Sequence, residues 1–178
     1  MSTHRGLVCV FARGKTLMGF IAALPLFAGT ALAEEKDPLA VVELGAAGEW
    51  GLQNGGSSFG PTAAVEFTPI KNWLEIEAGV TSLFSRGQTE WDTDFVFKKP
   101  FTLSPTVEFE PGIGQAWIHT IGGGRTTNSI AGEAELDFML WPTPERKFGW
   151  FFEPSYSYDF GRGQQSLGVS VGLLIGIP

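Results

Sequence analysis

The sequence predicts an all-β chain in which eight antiparallel strands, joined in order by short turns, close into an up-and-down barrel. Three observations carry that expectation. Apolar and polar residues alternate at period two through most of the chain, as they do in a strand with two unlike faces. Turn-forming clusters interrupt the alternation, at Asn54-Gly55-Gly56, Arg86-Gly87, Gly122-Gly123-Gly124, Pro142-Thr143-Pro144 and Gly161-Arg162-Gly163. No window sustains helical periodicity, and no stretch after residue 33 approaches the roughly 20 apolar residues of a spanning helix.

The first 33 residues stand apart. Arg5, Arg13 and Lys15 make a basic leader, "LMGFIAALPLFAG" is a short apolar core, and Ala31 and Ala33 are small residues placed for cleavage. This layout predicts a signal peptide over 1–33, cut after Ala33, and a single barrel domain over 34–178. All 19 acidic residues follow Ala33 but only nine of the 12 basic ones do, so the mature chain carries a net charge of −10. That balance argues against nucleic acid as a partner. The one cysteine, Cys9, lies in the leader, which leaves the mature chain without an intramolecular disulfide or a cysteine for lipid anchoring.

The expected strands run at about 39–52, 57–68, 72–84, 89–98, 102–118, 129–141, 148–160 and 165–177. In the third, Leu74, Ile76, Val80 and Phe84 oppose Glu75, Glu77 and Thr81. In the sixth, Ile130, Leu136, Phe138 and Leu140 oppose Glu133, Glu135 and Asp137. In the seventh, Trp150, Phe152, Tyr156, Tyr158 and Phe160 oppose Glu153, Ser155, Ser157 and Asp159. In the last, Leu167, Val169, Val171, Leu173, Ile175 and Ile177 share one face; Ser166, Gly168, Ser170, Gly172 and Gly176 share the other, with Leu174 the exception. The acid–x–acid runs of the chain are therefore polar strand faces read at period two. An even number of such strands closes without an exposed edge.

Volume decides which face points inward. The apolar faces carry more than a dozen aromatic rings, among them Trp50, Phe59, Phe67, Phe84, Trp91, Phe95, Phe97 and Phe109. An eight-stranded interior holds little beyond its own side chains, so that many rings would overfill it. Gly45, Gly79, Gly112, Gly168, Gly172 and Gly176 on the opposite face suit a cramped interior. Rings near strand ends also match the interfacial girdles of membrane barrels. The expectation is a transmembrane barrel with its apolar face outward.

Leader, eight alternating segments, aromatic ends and the Leu/Val/Ile-alternating final strand together resemble the small bacterial outer-membrane β-barrel proteins of the eight-stranded type. The resemblance is one of pattern. It implies a Gram-negative outer membrane, contact with lipid and lipopolysaccharide, and delivery by the barrel-assembly machinery. It also implies both termini in the periplasm, tight periplasmic turns at "TPIKN", "FKKPF" and "PTPERK", and outward connections that include "HTIGGGRTTNS". One departure is the ending Gly176-Ile177-Pro178, where such chains usually finish on an aromatic residue; it bears on assembly more than on fold.

With the apolar face out, the lumen receives Glu43, Glu49, Glu66, Glu75, Glu77, Glu90, Asp92, Asp94, Glu108, Glu110, Glu133, Glu135, Asp137, Glu153 and Asp159. Parity gives them one inward base, Lys98, with Arg86, Arg125 and Arg162 at rim turns. The candidate site is the acidic cluster Glu75, Glu77, Asp92, Asp94, Glu108, Glu110, Glu133, Glu135 and Asp137. Crowded carboxylates call for protons, for inward-folded arginines or for cations. No cofactor is required, although a hard ion such as Ca2+ is served by carboxylate and carbonyl oxygens alone. No calcium-loop spacing occurs; Asp92 and Asp94 match only its beginning.

The expected function is non-enzymatic: envelope support, or weak binding or passage of small cations. One alternative is a soluble, exported, lipocalin-like barrel for an apolar ligand. A second is a lipid A-modifying hydrolase using His119, the sole histidine after the leader, with Ser129 or Thr120 as nucleophile and Glu133 to orient the base. His119-Thr120-Ile121 lacks the His-x-Ser arrangement of the deacylases, and Gly122-Gly123-Gly124-Arg125 lacks the context of a phosphate loop.

Overall fold

A computed structural model describes residues 38–53 and 55–178. The expected signal peptide lies outside the described residues. The chain forms β1 (Ala40–Gly51), β2 (Ser57–Ile70), β3 (Leu74–Ser85), β4 (Gln88–Lys98), β5 (Phe101–Ser104), β6 (Val107–Gly122), β7 (Arg125–Leu140), β8 (Phe148–Asp159) and β9 (Gln164–Ile177). Apart from β4 and β5, which both pair with β6, strands adjacent in the chain pair antiparallel, and β1 pairs with β9 to close the cylinder.

The count of barrel staves is eight because β5 continues β4. Lys98 pairs with Gly112 and Phe101 pairs with Phe109, so the register on β6 is unbroken across the gap. Pro100 offers no amide hydrogen, and at the gap the Lys99 amide donates to the Pro111 carbonyl at 3.0 Å. The expected turn at "FKKPF" is therefore a kink within one stave, and the chain reverses instead at Pro105-Thr106. A second correction concerns "HTIGGGRTTNS". Thr120 and Ile121 pair with Thr127 and Thr126, which leaves only Gly123-Gly124 as a turn. Both glycines have positive φ, 56° and 74°, as a tight hairpin requires. Connections at the end away from the termini are consequently short, at 52–56, 86–87, 123–124 and 160–163.

Side-chain direction follows the predicted parity. Phe138 sits outward among Phe109 and Phe152, Phe152 and Val171 are 45% and 46% exposed, and Glu135 and Asp137 between them are buried in the lumen. Burying the acids while baring the rings inverts the arrangement of a water-soluble protein and matches a lipid-facing wall. The soluble apolar-ligand barrel is thereby excluded, because its interior would have to be the greasy face. Exposed Trp50, Phe59, Phe84 and Trp91 line one end across β1 to β4; Phe67, Phe97, Phe148 and Trp150 lie toward the end that carries the termini. Strands of 11 to 16 residues, β5 apart, meet or exceed the roughly 9–11 needed to cross the hydrocarbon layer.

Candidate functional site in the lumen

All fifteen acids expected inside face the lumen, and none of them is exposed. They divide into three tiers. The middle tier is organised by Lys98, which β4 delivers inward at 1% exposure. Its Nζ lies 3.2 Å from Asp137 Oδ2, 3.4 Å from Glu66 Oε2, 3.4 Å from Glu135 Oε1 and 3.6 Å from Glu153 Oε2, and it also contacts Glu77. These carboxylates come from β2, β3, β7 and β8, so one amine ties strands on opposite sides of the bore. An ammonium has three hydrogens to give. Five carboxylates around it leave surplus negative charge that solvent cannot screen, and protons or further cations must offset it.

Toward the termini, Arg146 folds in from the β7–β8 connection. Its Nη1 donates to Glu108 Oε1 at 2.7 Å, and Trp141 Nε1 donates to Glu108 Oε2 at 3.2 Å. Nearby, Thr68 Oγ1 donates to Glu75 Oε1 at 2.9 Å, and Glu66, Glu75 and Glu110 bring carboxylate oxygens within 4.8 Å of one another. At the far end, Arg162 reaches in from the β8–β9 turn. Its Nε donates to Asp159 Oδ2 at 2.7 Å, and its Nη2 donates to Glu90 Oε2 at 3.0 Å and Thr120 Oγ1 at 3.1 Å. Arg86 and Arg125, the other rim arginines, remain exposed.

Between the middle and far tiers lies a cavity of about 70 Å³, lined by Glu43, Glu49, Asp92, Asp94, Glu133 and Glu153 among others. Glycines make this space. The Asp94 carboxylate occupies the position a Cβ at Gly79 would take, and Phe151 packs where side chains at Gly45 and Gly172 would stand. The bore is closed toward the termini by buried Met139, Trp141, Phe151 and Leu174. Leu174, the exception in its strand's pattern, is wholly buried there.

The nine predicted site residues thus do not form one cluster. Glu77, Glu135 and Asp137 meet at Lys98; Asp94 and Glu133 line the cavity; Asp92 joins Glu49 and Glu90; Glu75 and Glu110 join Glu66; Glu108 pairs with Arg146. Glu43, Glu66 and Glu153 complete the central tier but lay outside the predicted site, since none of them has an acid–x–acid partner in its strand. Arg146 was missed because nothing local distinguishes it from Lys147 beside it. The hydrolase constellation is not assembled. His119 points out of the wall, its Nδ1 2.6 Å from Asn128 Oδ1 and its ring near Trp117, whereas Thr120 and Ser129 turn inward to Glu90 and Asp159.

With this geometry in hand, the chain can be set beside known proteins. No family model matches it, and no curated protein sequence matches it. Solved structures do. Neisserial surface protein A superposes with a TM-score of 0.64 at 17% identity, over 78% of this chain and 97% of that one. Ail, the attachment invasion locus protein of Yersinia pestis, gives 0.53 at 10% identity over 78% and 98%. The N-terminal β-barrel domain of Pseudomonas aeruginosa OprF gives 0.51 at 13% identity over 76% and 97%. The fold is that of the small eight-stranded outer-membrane barrels. At such identities the likeness is one of architecture, and the lumen must be read from its own residues.

Proposed function

We propose that this chain is a non-enzymatic outer-membrane barrel, a closed structural element of the envelope whose acidic lumen holds small cations instead of conducting them. The observation that carries this reading is the mismatch inside the cylinder. Fifteen inward carboxylates meet Lys98, Arg146 and Arg162, while Met139, Trp141, Phe151 and Leu174 obstruct the bore. Outer-membrane localisation is supported by the outward apolar wall with rings at both ends. Its partners on this reading are lipid and lipopolysaccharide, with the barrel-assembly machinery acting during biogenesis. Catalysis is disfavoured by the outward position of His119.

Planar-bilayer recording on the purified protein tests this. The wild type is expected to give no sustained channel current. A Trp141→Ala, Phe151→Ala double variant is expected to open a small, cation-selective conductance. A steady, unselective current through the wild type would overturn the closed-lumen reading.

A further inference from the structure

The central tier contains one carboxylate that Lys98 does not reach. Glu43, on β1, is 2% exposed, and its Oε1 is enclosed without a hydrogen-bond partner. Desolvating a carboxylate oxygen and leaving it unbonded is costly. An acid enclosed in this way needs a proton or a cation to complete it. The geometry supplies a place for one. Glu43, Glu77 and Glu153 each bring a carboxylate oxygen within 4.8 Å of the other two, and Glu43, Glu77 and Glu153 all line the 70 Å³ cavity.

We propose that Glu43, Glu77 and Glu153 form a binding site for one hard divalent cation of the calcium class. The proposal rests on the cation-holding reading of the lumen and assigns it a location. Three carboxylates offer up to six oxygens, and the adjoining cavity has room for water to complete a six- to eight-fold oxygen shell. The absence of nitrogen and sulfur ligands favours calcium over transition metals. The ligands come from β1, β3 and β8, so the ion would bridge β3 and β8, which face each other across the bore, and the closing strand β1 midway between them. Lys98, which contacts Glu77 and lies 3.6 Å from Glu153, is a second, tethered cation that shares two of these carboxylates with the site. Glu43 is the ligand that Lys98 leaves to the metal alone.

Calorimetric titration of the purified protein in detergent micelles, with calcium and in parallel with magnesium, tests the site. The wild type is expected to bind one calcium per barrel, more tightly than magnesium. Glu43→Gln and, independently, Glu153→Gln are expected to weaken calcium at least tenfold, whereas Asp159→Asn at the rim, outside that cavity, changes affinity less than twofold. Both glutamine variants keep side-chain shape and remove buried charge, and circular dichroism checks that each remains a folded barrel. Undiminished calcium affinity in folded Glu43→Gln overturns this site and leaves a cation-holding lumen standing elsewhere. A wild-type barrel that takes up neither calcium nor magnesium overturns both.

Discussion

The Lys98 tier and the Arg162 tier solve the same problem with different means. Arg162 is 30% accessible at its side chain and spreads its donors over two carboxylates and the hydroxyl of Thr120. Asp159 is satisfied further by Ser129 and by the amides of Gly161 and Arg162. Donors there serve both of the carboxylates that Arg162 reaches, although Glu49 and Asp92 alongside add negative charge. Lys98 is sealed from solvent and faces five carboxylates with one amine. A planar guanidinium in a wet rim closes a network, whereas a compact ammonium in a dry bore leaves one open. The difference teaches that both tiers carry more acid than base, but only the centre holds its deficit of positive charge away from solvent.

The comparison can be broken most directly at Lys98. Lys98→Met removes the positive partner from five buried acids and is expected to cost about 3–5 kcal/mol, the range for stripping one side of a buried ion pair. Urea unfolding of the barrel in lipid should register it, with partial recovery when Glu77→Gln is added. An unchanged midpoint would mean that the acids are neutral without the amine. Arg146→Ala comes next. It leaves buried Glu108 with the Trp141 indole as its remaining donor, and a loss of roughly 2 kcal/mol is expected in the same assay. Arg162→Ala should be the mildest, at about 1 kcal/mol or less, and should fade as salt is raised because the rim is screened. An Arg162 effect as large as that of Lys98 would erase the distinction between the tiers.

Much of this was legible in the chain. Period-two alternation located every barrel stave, and ring volume against available space set the inward parity, so the fifteen lumen acids were assigned from sequence. The misplaced turn has a definite cause. Lys99-Pro100 reads as a breaker, but the Lys99 amide still bonds to the Pro111 carbonyl, and only pairing reveals that the stave continues across the gap. The three-glycine run read as a loop because glycine permits one; the Ile and Thr residues flanking it had strand preferences strong enough to shorten it to two residues. The grouping of acids into tiers was invisible for a related reason. Parity says which wall face a residue takes, and the stagger between strands decides its height in the bore. Glu43 and Glu153 meet only because β1, β9 and β8 are aligned as they are.

One strand pairing differs in kind from the rest. Seven of the eight joints between staves connect consecutive hairpin partners, whereas the joint of β1 to β9 runs unbroken from Ala40–Ile177 to Gly51–Ser166 between segments at opposite ends of the chain. The hairpin joints can form locally as each piece of chain enters its sheet. The last must wait for a long search, although the entropy of that search rises only by about 0.6 kcal/mol per doubling of the enclosed length. Gly45 and Gly172 face each other across this joint, with the Phe151 ring lodged over both. The cylinder therefore has a zip, and Phe151 is the stud that fastens once the two sides come together.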